Sequence, residues 1–459
     1  MSLYRYIFPF RVTCTLLTAL TVTVSAHTQD LSALTLEQAL KSALENQPSE
    51  RAFRIENQMN VAQVDKVRLQ KNLKLSGSLD MQANPFLPAS VVPVGQFNVQ
   101  NPTDETRAIR FGTWWQATAG VTATKSLYDA GLNAQVREQN FQADITENNH
   151  ALNRQNIALE LTKAWYALLL STEEVNFLKE NYLKADELLK DALNRRNGGA
   201  ATESAVINAR MQLNSAMIQL EQAESNRRRN AETLLYRMGV SPEKAGETVT
   251  KGTLAEALSP LEKWTPPSFD AVSVATNRPD IQQFALDNRL QQLRLETEKA
   301  RLKPTLSAFA FFGMNNLTND VPLVAENSWF SNGNIGLQMK IPVSGYWELQ
   351  KQQLPVSLKQ QYNAARQEEA LNQARWEYEQ ARTAFVSARQ QLVLRKEDME
   401  LARQALELAS NSVRDGAGIP SDVLSARTSL KEKEFNWLQT AGDLLLAELA
   451  LRKASGKLF

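Results

Sequence analysis

Trp115-Gln116-Ala117-Thr118-Ala119-Gly120-Val121-Thr122-Ala123-Thr124 alternates apolar and polar residues without a break, the period-two pattern of a strand with one apolar face. Leu75-Ser76-Gly77-Ser78-Leu79-Asp80-Met81-Gln82-Ala83 alternates in the same way ahead of it, and two later runs repeat the pattern: Leu306, Ala308, Ala310, Phe312 and Met314, then Ile335, Leu337, Met339, Ile341 and Val343. Each run reaches the length of about nine to eleven residues that a tilted membrane strand needs. The second strand of each pair opens on an aromatic couple, Trp114-Trp115 and Trp329-Phe330, where an interfacial girdle would sit. A soluble sheet with buried Trp is the alternative. Four strands cannot close a barrel in lipid, and an open edge there would leave backbone groups unsatisfied, so a membrane barrel must be shared between chains. Two chains would give eight strands; three would give twelve and leave room for a lumen.

Outside these strands the period changes to 3.5. Stepping alternately three and four residues from Leu371 gives Ala374, Tyr378, Ala381, Phe385, Ala388, Leu392, Arg395, Met399, Ala402, Leu406, Ala409 and Val413. Only Arg395 breaks this apolar seam, which predicts a helix supercoiled left-handedly around a partner. The register restarts after Gly416-Ala417-Gly418 with Val423, Ala426, Leu430, Lys433, Trp437, Thr440, Leu444, Ala447 and Leu451: a helical hairpin. Ala185, Leu189 and Ala192 before Gly198-Gly199, and Val206, Ala209, Leu213, Ala216, Leu220 and Ala223 after it, make a second. Neither Pro nor Gly occurs between Leu132 and Asn197, so one helix there would run roughly 100 Å at about 1.5 Å per residue. Periodicity alone would equally suit a spacer coiled coil; the strands between the helices argue against it.

The two hairpins reflect a duplication. Asn46-Gln47-Pro48 returns as Asn277-Arg278-Pro279, and Leu73-Lys74-Leu75-Ser76 as Pro304-Thr305-Leu306-Ser307, both at an offset of 231. The stretch from Gly199 to Arg210 returns from Gly416 to Arg427 at an offset of 217. The change of offset points to the long polar loop Asn84 to Arg110 as the variable region, since loops vary while elements persist.

The chain begins like an export signal: Arg5 and Arg11 without an acid, a thirteen-residue apolar stretch from Val12 to Val24, and small residues at Val24-Ser25-Ala26. A stretch that short does not cross a bilayer core of ~30 Å, which disfavours a membrane anchor. Cleavage would leave His27 first and remove the single Cys, Cys14, whose preceding Arg11-Val12-Thr13 does not resemble a lipoprotein box. No later segment approaches about eighteen consecutive apolar residues, so any membrane crossing must use strands. Lys and Arg number 51 against 50 Asp and Glu, and this balance gives no electrostatic reason to expect nucleic acid. Only 18 Gly and 16 Pro punctuate 459 residues, which favours long uninterrupted elements.

The order of these motifs, given twice, resembles the TolC-like outer membrane efflux proteins of Gram-negative bacteria. The resemblance covers the mature chain from Leu36-Glu37-Gln38-Ala39-Leu40 to Gly456-Lys457-Leu458, and includes Lys303-Pro304-Thr305-Leu306-Ser307 entering a strand and Ser126-Leu127-Tyr128-Asp129-Ala130-Gly131 leaving one. It implies a mainly α fold with a membrane β-barrel: a homotrimer whose long helical hairpins form an α-barrel tunnel through the periplasm, with four strands per chain in a shared twelve-stranded barrel in outer membrane lipid. The expected division is a signal peptide (1–26), N-terminal helices of the first repeat (27–72), β-hairpin 1 (73–130) and helical hairpin 1 (131–238). An equatorial linker (239–268), helices of the second repeat (269–303), β-hairpin 2 (304–345), helical hairpin 2 (346–455) and a tail (456–459) follow. The equatorial linker is rich in Pro, with Pro242, Pro260, Pro266 and Pro267. Two departures stand out: Leu73 where the family has the proline seen at Pro304, and a short strand exit at Ile341-Pro342-Val343-Ser344-Gly345.

The resemblance implies a passive exit duct of a tripartite efflux or type I secretion system. Its partners would be a periplasmic adaptor and an inner-membrane pump of RND, ABC or MFS type; no GxxxxGK[ST] loop supplies energy in this chain. The turns carrying Gly198, Gly199, Gly416 and Gly418 would form the periplasmic tip where the adaptor docks. Asp422 aligns with an acid that faces the lumen in the family, and threefold symmetry would make it a cation-selective carboxylate ring; equally, it is an acid favoured at a helix N-terminus, with Ser421 as cap. Arg414 and Asp415 could join a tip salt bridge. No catalytic constellation, metal cluster or cofactor motif is visible: the two His, His27 and His150, are too few for a metal site, and Arg227-Arg228-Arg229 reads as a solvated face. The alternative function, a periplasmic adaptor, would show one hairpin flanked by β-rich domains.

Overall fold

A computed structural model of the chain describes residues 34–93, 103–241, 252–319, 329–343, 345–415 and 418–458. The export signal, Pro242 and Gly416 lie outside the described residues. The first repeat contains α1 (Leu36–Asn46), α2 (Pro48–Leu69), β1 (Lys74–Ala83), β2 (Ala89–Val92), β3 (Arg107–Arg110), β4 (Trp115–Tyr128), α3 (Ala130–Asn197) and α4 (Glu203–Arg237). There follow α5 (Leu254–Lys263), α6 (Ala271–Asn277), α7 (Pro279–Arg301), β5 (Thr305–Thr318), β6 (Trp329–Lys340), α8 (Gly345–Arg414) and α9 (Pro420–Ala454).

The helices form where the seam requires them. Helix α3 has 68 residues and α8 has 70, each on the order of 100 Å long. The α8 seam buries Tyr378, Ala381, Phe385, Ala388, Met399, Ala402 and Leu406 with α9, and Ala374 against Val274 and Ile281 of α6 and α7, all positions of the 3.5-residue register. Each long helix has in its first turn a glycine that the packing requires. A Cβ at Gly131 would lie 2.9 Å from Arg301 Cγ, and one at Gly345 would overlap Leu302 Cδ2, so both helices start pressed against the end of α7. Asp129 caps α3, its Oδ1 accepting from Leu132 N at 3.0 Å.

Around the middle of the hairpins sit two covers. Helix α1 presses Ala39 and Ala43 onto Leu161, Trp165, Leu234 and Leu235 of α3 and α4. Helix α5 presses Leu254, Leu258 and Leu261 onto Phe385, Leu444 and Leu451 of α8 and α9. Both begin with a capping box, Thr35 with Gln38 and Thr253 with Glu256. The Pro-rich linker therefore holds a helix, with Pro260 inside it, and Tyr378 Oη donates to Pro267 O at 2.5 Å.

The duplication is explicit in the helix ends. Gly239 and Gly456, 217 residues apart, both take positive φ, 72° and 67°. Each completes the same C-terminal motif, with Val240 N donating to Leu235 O at 2.9 Å in one and Lys457 N donating to Arg452 O at 2.9 Å in the other. Each also rests on the asparagine of the repeated Asn-x-Pro motif: a Cβ on Gly239 would meet Asn46 O at 3.1 Å, and one on Gly456 would meet Asn277 Cβ at 3.2 Å.

Strands β1, β4, β5 and β6 form one antiparallel sheet in the order β1-β4-β5-β6. The expected polar loop Asn84 to Arg110 holds a separate two-stranded ribbon, in which Ala89–Val92 pairs with Arg107–Arg110; the β-branched Val91-Val92 and Ile109 suit it. Strand β6 ends at Lys340, ahead of the expected Ile341 and Val343, because Pro342 cannot donate to a ladder. At Trp115 and Trp329 the repeat offset has fallen to 214, so the loop accounts for the whole difference, and the long helices return three residues before the tips.

Candidate functional site: sheet faces and hairpin tips

Strand alternation sorts the sheet into two faces. One carries Leu75, Leu79 and Met81 of β1 against Ala123, Ala119 and Ala117 of β4. It continues through Val121, Phe312, Met314 and Ala310 to Ile335, Leu337 and Met339 of β6. The large side chains of this face are apolar yet exposed, up to 86% at Ile335 and 72% at Phe312, with the alanines between them half-buried or buried, an apolar surface of the kind that water does not tolerate uncovered. The opposite face carries Ser76, Ser78, Thr118, Thr122, Asn332, Asn334 and Gln338, interrupted by Phe309 and Phe311 of β5. Trp115 pairs with Thr318 and Trp329 with Asn316, which puts both indoles at one end of the apolar face. Trp114 precedes β4, its N–H donating to Asn319 Oδ1 at 3.1 Å, whereas Phe330, opposite Asn315, belongs to the polar face.

The tips differ in construction. Gly199 has φ 74° and ends α3, with Ala200 N donating to Arg195 O at 2.7 Å; Gly198 has φ −86° and needs no glycine. Arg196 bridges to Glu203 at 3.0 Å across this turn, and Thr202 caps α4. At the other tip a Cβ on Gly418 would meet Val413 N at 3.1 Å, so glycine serves close approach there. The N-cap of α9 is Ile419 with no side-chain bond, so Ser421 is not the cap. Asp422 lies exposed in the first turn, its N–H donating to Ile419 O at 3.0 Å. Arg414 donates to Asn411 Oδ1 at 2.7 Å, and Asp415 is exposed beside it. The structure thus places Arg414, Asp415, Gly418 and Asp422 at one tip and Gly198 and Gly199 at the other.

Between the hairpins, where α3 meets α9, lies a cluster that sequence reasoning did not select. Glu434 is 9% exposed, and it lines one notch with Glu180 and Lys184 of α3 and with Arg427 and Lys431 of α9. Burial pushes its carboxyl up to about 7; Arg403 and Lys184 oppose this, and Glu180 adds to it. Arg427 is held low by burial, and its Nε is buried without a partner. Above the notch Lys431 Nζ donates to Gln219 Oε1 at 2.6 Å, tying α9 to α4. The polar break at Lys433 in the α9 seam was the visible signal. Among the described residues there is no group of three or more metal-ligating side chains, and no helix is long and apolar enough to cross a membrane. His150 instead stacks on Phe53, with ring centroids 3.6 Å apart, and pairs with Glu50 at 2.8 Å, joining α3 to α2.

Comparison with known proteins fits this geometry. Residues 272–457 match the family model for outer membrane efflux proteins. No curated protein matches the chain in sequence. Among solved structures, the outer membrane protein VceC of Vibrio cholerae is 17% identical, with a TM-score of 0.65 over 92% of this chain and 96% of its own. The Campylobacter jejuni CmeC outer membrane channel is also 17% identical, with a TM-score of 0.66 over 92% and 86%. The open state of the Neisseria gonorrhoeae MtrE outer membrane channel is 14% identical, with a TM-score of 0.65 over 92% and 89%. The chain is thus matched by the outer membrane efflux protein model through its second repeat and shares the fold of these channels along nearly its whole length.

Proposed function

We propose that the chain is the outer membrane exit duct of a tripartite efflux or secretion system, working as a homotrimer. The observation that carries this reading is the sheet with two unpaired edges, β1 and β6, and an exposed apolar face. In lipid those edges require partners. If β6 of each chain pairs with β1 of the next, three copies close a twelve-stranded barrel with its polar face lining the lumen. The helices share this open geometry. Exposed apolar residues occur on α8, such as Leu401 and Leu408, and on α2 and α4, such as Met59 and Ile218; neighbouring copies would cover them. The duct is passive: the chain's motifs and packing account for a wall, so energy comes from an inner-membrane pump reached through a periplasmic adaptor at the glycine turns. No residue is assigned a catalytic role.

Asp422, first-turn acid of α9, is assigned to the lumen at the periplasmic tip, where threefold repetition concentrates negative charge. Purified full-length protein in a planar bilayer should give cation-biased conductance and run as heat-sensitive trimers on gels. Asp422→Asn should weaken block by divalent cations and leave trimers intact. Monomers without conductance would refute the duct, whereas unchanged block in a conducting variant would remove only the role of Asp422.

A further inference from the structure

On the polar face of the sheet, three glycines leave bare backbone where β4, β5 and β6 meet. Gly120 stands opposite Gly313, and Gly336 stands opposite Phe309. Two phenylalanine rings occupy the space. A Cβ at Gly313 would come within 2.6 Å of Phe311 Cζ, one at Gly120 would overlap the same ring, and one at Gly336 would come within 2.9 Å of Phe309 Cε1. The tip of each ring therefore lies over the bare backbone of the glycines, and both side chains are half-buried. Covering the sheet would not require this arrangement, because Ala, Thr or Val at the three positions would cover the backbone as the rest of the face does. Glycines recess the wall by the depth of a side chain. Rings laid flat into that recess would keep the lumen wide and leave one π-face free towards it. Phe330 adds a ring on the same face nearer the loop end.

We propose that Phe309 and Phe311 form an aromatic contact site on the lumen wall of the barrel, selective for planar aromatic small molecules in transit. The site rests on the duct reading, since only a closed barrel turns this face inward. Threefold symmetry would set six such rings at two levels about two residues apart along β5. Offset stacking on a ring laid flat favours a flat aromatic solute over a saturated one of equal size and charge. It acts by lengthening residence, not by closing the path.

The test uses purified full-length trimers in a planar bilayer with two probes of equal charge and similar size, naphthylmethylammonium and its saturated decalin counterpart. In the parent protein the aromatic probe should interrupt the current with dwell times several-fold longer than the saturated one. Phe309→Leu and Phe311→Leu keep an apolar cover over the glycines and remove the π-face. Each should shorten aromatic dwell times roughly three- to tenfold and leave the open conductance and the saturated probe's dwell times unchanged. Phe311→Tyr should restore them. Equal dwell times for the two probes in a conducting parent, or aromatic dwell times unaltered in conducting leucine variants, would overturn the site while leaving the duct standing. Absence of conductance in the parent would overturn the duct itself, and the site with it.

Discussion

At the level of single residues, glycine marks the places where this fold allows no choice. Gly239 and Gly456 combine a left-handed backbone with close contact to Asn46 and Asn277, so a side chain there is strained twice over. Alanine at either should cost about 1–2 kcal/mol, read as a lowered midpoint of thermal unfolding in detergent, while Gly198→Ala, at φ −86°, should be neutral or slightly stabilising. An unchanged midpoint for both Gly456→Ala and Gly239→Ala would contradict the reading of these helix ends. Sequence inspection found the glycines of the tips, because turns advertise themselves between two heptad runs. It missed Gly239 and Gly456 because their need arises from an asparagine about 190 residues away in one repeat and about 180 in the other. It missed Gly120, Gly313 and Gly336 because strand alternation is indifferent to what lies over a bare backbone. The aromatic couples were legible as pairs, yet the period-two rule separates their members: Trp329 and its neighbour Phe330 necessarily face opposite ways.

Among elements, the hairpins were the most legible part, since one seam of 3.5-residue period fixes both the helix and the face it buries. What periodicity could not supply was how one hairpin meets the other. That contact, α3 against α9, holds Glu434, whose folded-state pKa of about 7 exceeds its ordinary 4.5 through burial. The sign follows from linkage. The folded chain binds this proton more tightly than the unfolded chain, so the stability it brings is complete below about 4.5 and is lost as pH rises through about 7. The loss is at most on the order of 3 kcal/mol. Glu434→Gln should flatten unfolding midpoints between pH 5 and 8 and raise the midpoint at pH 8. A variant with the same pH dependence as the parent would show that Glu434 is not the titrating group. Helix α5 and the ribbon β2–β3 escaped sequence reading for a different reason: both lie in stretches whose prolines and polar residues read as loop, and both are held by tertiary packing or pairing stronger than local propensity.

For the whole molecule, two repeats supply one pair of strands in the four-stranded sheet and one long helical hairpin each, and neither closes on itself. The sheet ends in β1 on one side and β6 on the other, and apolar side chains of α2, α4 and α8 stand uncovered. The duplication and the four strands of the main sheet were legible, and the unsatisfied edges already required several copies; the side-chain faces, which in the proposed barrel would tell lumen from lipid, needed the register. The account therefore stands on the pairing of β6 with β1 of a neighbouring copy. Single cysteines at Ser76 or Ser78 of β1 combined with single cysteines at Asn332, Asn334 or Gln338 of β6, in full-length protein in outer membranes, measure it directly under mild oxidation. Native Cys14 lies within the expected export signal. The account predicts that at least one combination gives a ladder of monomer, dimer and trimer that stops at three, with neither single-cysteine parent giving it. Monomer at every combination, or a ladder continuing past three, would contradict the closed trimeric barrel.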